Sequence, residues 1–208
     1  VLIKVNFITT KKWDTGATTD PIVVEALFQE IGKVNDRIFV VESDATVTRA
    51  NRAAEATGML ELCKKYGVQF LNLSELKMKT HTDTTVTLGL KNMFGMLPDR
   101  FKGKFHARNI SKVIVDINSV IKPSLTIVDG FVAMEGQGPV SGDPVKMDTV
   151  IAGEDVVAVD ATTSRVMGFD PSVIYHIKRS YEKSLGEIDR IQILGDTIEN
   201  VKRNFKHP

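Results

Sequence analysis

The chain opens on "VLIKVNFI", an apolar, β-branched run interrupted by Lys4 and Asn6, which predicts a first strand. A polar stretch, "TTKKWDTGATT", leads to Asp20-Pro21. Asp suits a helix cap there, and Pro suits the first turn, where a missing N–H costs nothing. Val23, Val24, Leu27, Phe28 and Ile31 then recur on one helical face up to Gly32. "RIFVVES" reads as a second strand, "VTRANRAAEATGMLELCKKYG" as one long helix ending at Gly67, and "VQFLNL" as a third strand. Strands alternating with helices through short links predict a parallel sheet with helices on its faces.

In the second half, Val86, Leu90, Met93 and Phe94 share a stripe that predicts a helix over 84–94, with Lys91 and Asn92 off it. A polar loop, "MLPDRFKGKFH", precedes a helix expected over 107–121. "SLTIVDG" reads as a strand ending at Asp129-Gly130, "FVAMEGQGPVSGDPVK" as a Gly/Pro-rich loop, and "MDTVIAG" as another strand. "EDVVAVDATTSRVMG" forms a helix ending at Gly168, Asp170-Pro171 starts the next, and "IDRIQILG" is a final strand. The pattern contains no internal repeat. It describes a single α/β domain over 1–208: a largely parallel sheet with helices on both faces, a three-layer sandwich.

Composition narrows the function. With 208 residues, 42% hydrophobic and 25% charged, the chain has the make-up of a globular protein. It lacks an apolar run near the roughly 20 residues of a membrane helix, and its first residues show no signal-peptide pattern, so the expected location is the cytoplasm. Cys63 is the single cysteine, which excludes an internal disulfide or an iron–sulfur cluster held by this chain alone. Its helical spacing from Met59 and Leu60 suits a core residue. Net charge is only +1, yet eight basic residues stand against Asp83 and Asp99 over 77–112, and acids dominate 129–160. Such a distribution points to local anion and cation sites. Nucleic acid is not an expected partner, because aromatic platforms among the basic residues are missing.

The strongest chemical signal lies in "VDGFVAMEGQGPVSGDP". Read at the end of a parallel strand, Asp129 occupies the position where α/β sheets bind ligands. Glu135 and Asp143 add hard oxygen donors for a divalent metal or a proton, and Gly136 and Gly138 permit close backbone approach. The plainer alternative is a structural loop whose acids cap nearby backbone. In "KMKTHTDTTVTLGLKNMFG", Lys79 and Lys91 suit a carboxylate or phosphate, and His81, with Asn92 further along, stands by the expected helix. His106 follows Lys102 and Lys104. Each alone also reads as a solvated or satisfied residue. The chain carries no dinucleotide fingerprint, phosphate-loop motif, nucleophile elbow or zinc-protease histidine pair.

The ordered series "KTHTDTTVTLGLKNMFG", "KPSLTIVDGFVAMEGQGP", "GDPVK" and "DVVAVDATTSRVMGFDP" resembles the domain-of-unknown-function family numbered 362, and the early "LIKVN" and "TTDP" fit as well. The resemblance covers nearly the whole chain and implies a prokaryotic protein, with little about its activity because the family is defined without one. It maps the family's polar positions onto Lys4, Asn6, Asp20, Glu42, Lys79, His81, Lys91, Asn92, His106, Asp129, Glu135 and Asp160. Some family members carry a ferredoxin-like module; Cys63 alone cannot supply one. Two departures stand out: Val5 replaces the usual Pro, and several dozen residues of the family pattern are missing near 74–77. The expectation is an omitted segment there, a candidate lid.

Two functions follow. One is an enzyme on a small anionic substrate, held by Lys4, Asn6, Lys79, Lys91, Asn92, Gly136 and Gly138. His81, His106, Asp129 or Glu135 would move a proton, and Asp129 with Glu135 would hold a metal. The alternative is a non-catalytic module that binds a metabolite or metal for a ferredoxin-like redox partner.

Overall fold

Three short strands lie side by side in the computed structural model, which describes residues 1–45, 48–73, 85–97, 105, 109–138 and 140–207. β1 (Leu2–Lys4), β2 (Phe39–Glu42) and β3 (Gln69–Asn72) form a parallel sheet in that order. Lys4 stands opposite Val41, and Glu42 opposite Asn72, so Lys4, Glu42 and Asn72 mark its carboxyl edge. Apolar Ile3 and Val40 supply the β-branched surface the sheet needs.

α1 (Pro21–Ile31) forms as the sequence predicts: the Asp20 carboxylate accepts from Ile22 N–H at 2.9 Å. The single helix expected across 47–67 is instead α2 (Ala50–Ala56) and α3 (Met59–Lys65). Gly58, at φ +82°, breaks it in a backbone conformation that costs glycine little. Val5, Phe7, Val24, Phe28, Val40, Met59 and Cys63 pack into one apolar core on this half.

The second half begins with α4 (Gly89–Asn92), which tightens into a 3-10 turn at Met93–Met96. The helix expected over 84–94 therefore starts later, at Gly89, where the Asp160 carboxylate receives its first N–H groups. α5 (Ile110–Val120) follows. β4 (Thr126–Glu135) and β5 (Asp143–Gly153) pair antiparallel, apart from the parallel sheet. The chain closes with α6 (Val156–Val166), α7 (Tyr175–Glu182) and α8 (Ile198–Val201). A second core joins Leu90, Phe94, Ile110, Ile114, Val157 and Ile177.

The fold is thus mixed α/β with a small parallel sheet, and three further expectations change. "FVAME" is strand, not loop: glycine at position 130 leaves room for the facing strand, since a Cβ there would lie 2.7 Å from the Thr149 carbonyl oxygen. Asp129 accordingly lies within an antiparallel hairpin, not at the end of a parallel strand. "IDRIQILG" runs without a strand partner among the described residues. Among the described residues, no helix is long and apolar enough to cross a membrane.

Candidate functional site

The carboxyl edge of the parallel sheet meets α4 at a polar seam between the two cores. Lys4 ends β1 and Glu42 ends β2, so neighbouring parallel strands bring opposite charges together, 2.6 Å apart. Lys4 Nζ also donates to the Val5 carbonyl at 2.6 Å and to Asn92 Oδ1 at 3.0 Å. Its three hydrogens are therefore matched by three acceptors. Glu42 is equally engaged, accepting from Phe7 N–H and Ser43 N–H, both at 2.7 Å. Gly95 lines the pair closely: a Cβ there would stand 2.7 Å from Lys4 Cε.

The same hydrogen-bonded path continues to the acids. Asn6 N–H donates to Thr19 Oγ1 at 3.0 Å, and Thr19 N–H to the Asn6 carbonyl at 3.1 Å. Asp20 N–H then donates to Asp129 Oδ2 at 2.7 Å. Burial pushes the Asp20 carboxyl above the usual carboxylate range; the Ile22 N–H opposes this and the nearby Asp129 charge adds to it. Two neighbouring carboxylates of this kind can share a proton or a cation.

Lys91 and Asp160 sit behind this seam. Lys91 is buried on α4 and donates to Thr87 Oγ1 at 3.0 Å. His176, buried on α7, has no hydrogen-bond partner for Nε2. Burial, reinforced by the Lys91 charge, lowers its pKa to about 4 and keeps it neutral. Asp160 is fully buried beneath the first turn of α4.

Glu135 does not join the acids. It lies six positions beyond Asp129 on β4, about 20 Å along an extended chain, too far to share one ion. Its carboxylate accepts from Lys206 N–H at 3.0 Å and pairs with Lys206 Nζ at 3.1 Å, which lowers its pKa. Gly136 and Gly138 turn the hairpin at that far end, with Gly136 N–H donating to the Lys206 carbonyl. Asp143 also pairs there with Lys206. Lys79, His81 and His106 lie outside the described residues, as does the region of the expected omitted segment at 74–77. Among the described residues, no three His, Cys, Asp or Glu side chains form a metal-binding group.

Sequence reasoning missed the Lys4–Glu42 pairing, whose signal was opposite charge at the ends of two strands destined to be neighbours. It also missed His176, which carries no distinguishing spacing.

Fold and site define a mixed α/β protein with a charged seam at the edge of a small parallel sheet. The sequence matches the Domain of unknown function (DUF362) family over residues 1–77 and 74–165, and the chain belongs to that family. It is also similar to the thylakoid-associated protein sll1697 of Synechocystis sp., 29% identical in an alignment that covers 84% of this chain and 64% of the relative. The chain thus spans just under two thirds of that relative's length. No solved structure matches it.

Proposed function

We propose that the chain binds a small carboxylate or phosphate at the seam and acts on it by proton transfer. The supporting observation is that Lys4, Asn6, Asp20, Glu42, Asn92 and Asp129, all positions of the family pattern, lie along one connected path. They come from five separate parts of the chain, and they include both charge signs. Lys4, with Lys91 behind it, supplies the positive field for the anion. Asp20 and Asp129 supply the proton-transfer pair. A divalent cation would be held by these two carboxylates only together with the bound anion, the mode usual for Mg²⁺.

A thermal-shift panel of small carboxylates and phosphates, with and without Mg²⁺ or Mn²⁺, tests this reading. An anion present at about 100 times its Kd raises stability by about 2.7 kcal/mol. The shift is expected to vanish in Asn92→Ala and Asp129→Asn. A panel with no response, or a shift both variants retain, would overturn the reading.

One observation favours a second reading. All three Lys4 hydrogens already have protein acceptors, so the seam can serve as a fastening rather than a binding pocket. The chain is then a non-catalytic accessory module for a ferredoxin-like partner. In that case the panel is silent and reduced ferredoxin produces the stabilisation instead.

A further inference from the structure

Among the described residues, Asp160 is the fully buried carboxylate at the joint between α6 and α4. Its Oδ1 accepts from Gly89 N–H at 2.8 Å and its Oδ2 from Leu90 N–H at 2.9 Å. Two residues on from Leu90 comes Asn92, whose side chain holds Lys4. From the other side, Asn118 Nδ2 donates to the Leu90 carbonyl at 2.9 Å. The first turn of α4 is therefore pinned by two buried side chains, one of them ionisable.

Asp160 has no ion-pair partner among the described residues, which is costly for a buried carboxylate. Among the elements packed against α6, Lys91 on α4 and His176 on α7 are the buried ionisable groups; Asp129 and Glu135 on β4, and Asp143, Lys146 and Asp148 on β5, are not buried. Thr126 lies beside Asp160: its Cγ2 and Asp160 Oδ1 stand 2.6 Å and 3.0 Å from the point where a Gly89 Cβ would be. The Thr126 methyl faces this point, and its buried hydroxyl makes no hydrogen bond, so it does not share in holding the Asp160 carboxylate.

We propose that Asp160 is the positioning residue of the seam: its carboxylate holds α4 so that Asn92 reaches Lys4, and its protonation relaxes that hold. A carboxylate accepts both N–H groups at full strength. The protonated acid has a carbonyl oxygen that accepts one N–H well and a hydroxyl oxygen that is a poor acceptor for the other, so one of the two bonds weakens. Burial raises the Asp160 pKa to about 7, which puts the change within reach of ordinary conditions. The inference rests on the seam being the binding site, but its test needs no ligand, so the two fail separately.

The test follows the ¹⁵N–¹H resonances of Gly89, Leu90 and the Asn92 side-chain amide in the full chain from about pH 5 to about pH 9. All three are expected to titrate with one common midpoint near 7, and Asp160→Asn is expected to flatten all three. Flat Gly89 and Leu90 resonances in the wild type would overturn the proposal. So would titration at Gly89 and Leu90 without a response at Asn92, the signature of a purely structural acid. The wild-type titration decides even where the variant does not fold.

Discussion

Lys4 and Glu42 face each other at 2.6 Å across the carboxyl ends of adjacent parallel strands, with side chains 10% and 6% exposed. A buried pair of this kind is costly to break from one side, because the survivor keeps its charge without water. Lys4→Met is expected to cost about 3–5 kcal/mol, and Lys4→Met with Glu42→Gln markedly less than the sum of the single changes. Urea denaturation of the three variants measures this. Simple additivity would mean that the two groups do not depend on each other.

The tight approach of Gly95 to Lys4 gives a steric prediction. An added methyl would stand 2.7 Å from Lys4 Cε and 3.0 Å from Nζ, and the ammonium is held by three acceptors. Gly95→Ala is therefore expected to destabilise by about 1–3 kcal/mol. In a Lys4→Met background the same change is expected to cost less. An equal cost in both backgrounds would place the clash elsewhere.

Asp160 sets a pH dependence with a definite sign. Burial raises its pKa from 3.8 to about 7, so the folded chain holds this proton more tightly than the unfolded one. Its contribution to stability is complete below about pH 4, declines as pH rises, and is lost above about pH 7. Relative to the wild type, Asp160→Asn is expected to gain stability as pH climbs through that window. Denaturant midpoints for both proteins at several pH values check this, and a constant gap between them would contradict it. Global stability and the local hold on α4 move oppositely, because desolvation of the carboxylate outweighs its stronger hydrogen bonds.

Cys63 offers a simple probe of packing. Burial in the core beside the parallel sheet raises its thiol pKa to about 11, leaving little thiolate at neutral pH. A thiol reagent is expected to label the native protein only as fast as it opens. Rapid stoichiometric labelling of the native chain would show that this core is not closed.

How much was legible in the sequence differs element by element. The β1–α1–β2 unit was readable because Asp20, Pro21 and the apolar stripe of α1 all act locally. The break at Gly58 was not, since glycine permits a positive φ without demanding it. Likewise "FVAME" read as loop because its continuation through Gly130 depends on Thr149, nineteen positions away. "IDRIQILG" has a strand's composition, but a ladder needs a neighbour that local pattern cannot supply. In the site, the residue types were readable and their pairings were not. Lys4 looked like an anion binder, and only strand order reveals that Glu42 stands opposite. Glu135 looked like a partner of Asp129 until the intervening residues proved extended.

On this proposal the seam, rather than the hairpin tip, receives the anion. Amide chemical-shift mapping with the most stabilising anion of the panel tests it most directly. Perturbations are expected at residues 5–7, 19–20, 92–95 and 129–131. Shifts confined to 135–138 and 206, or none at saturating anion, would contradict it.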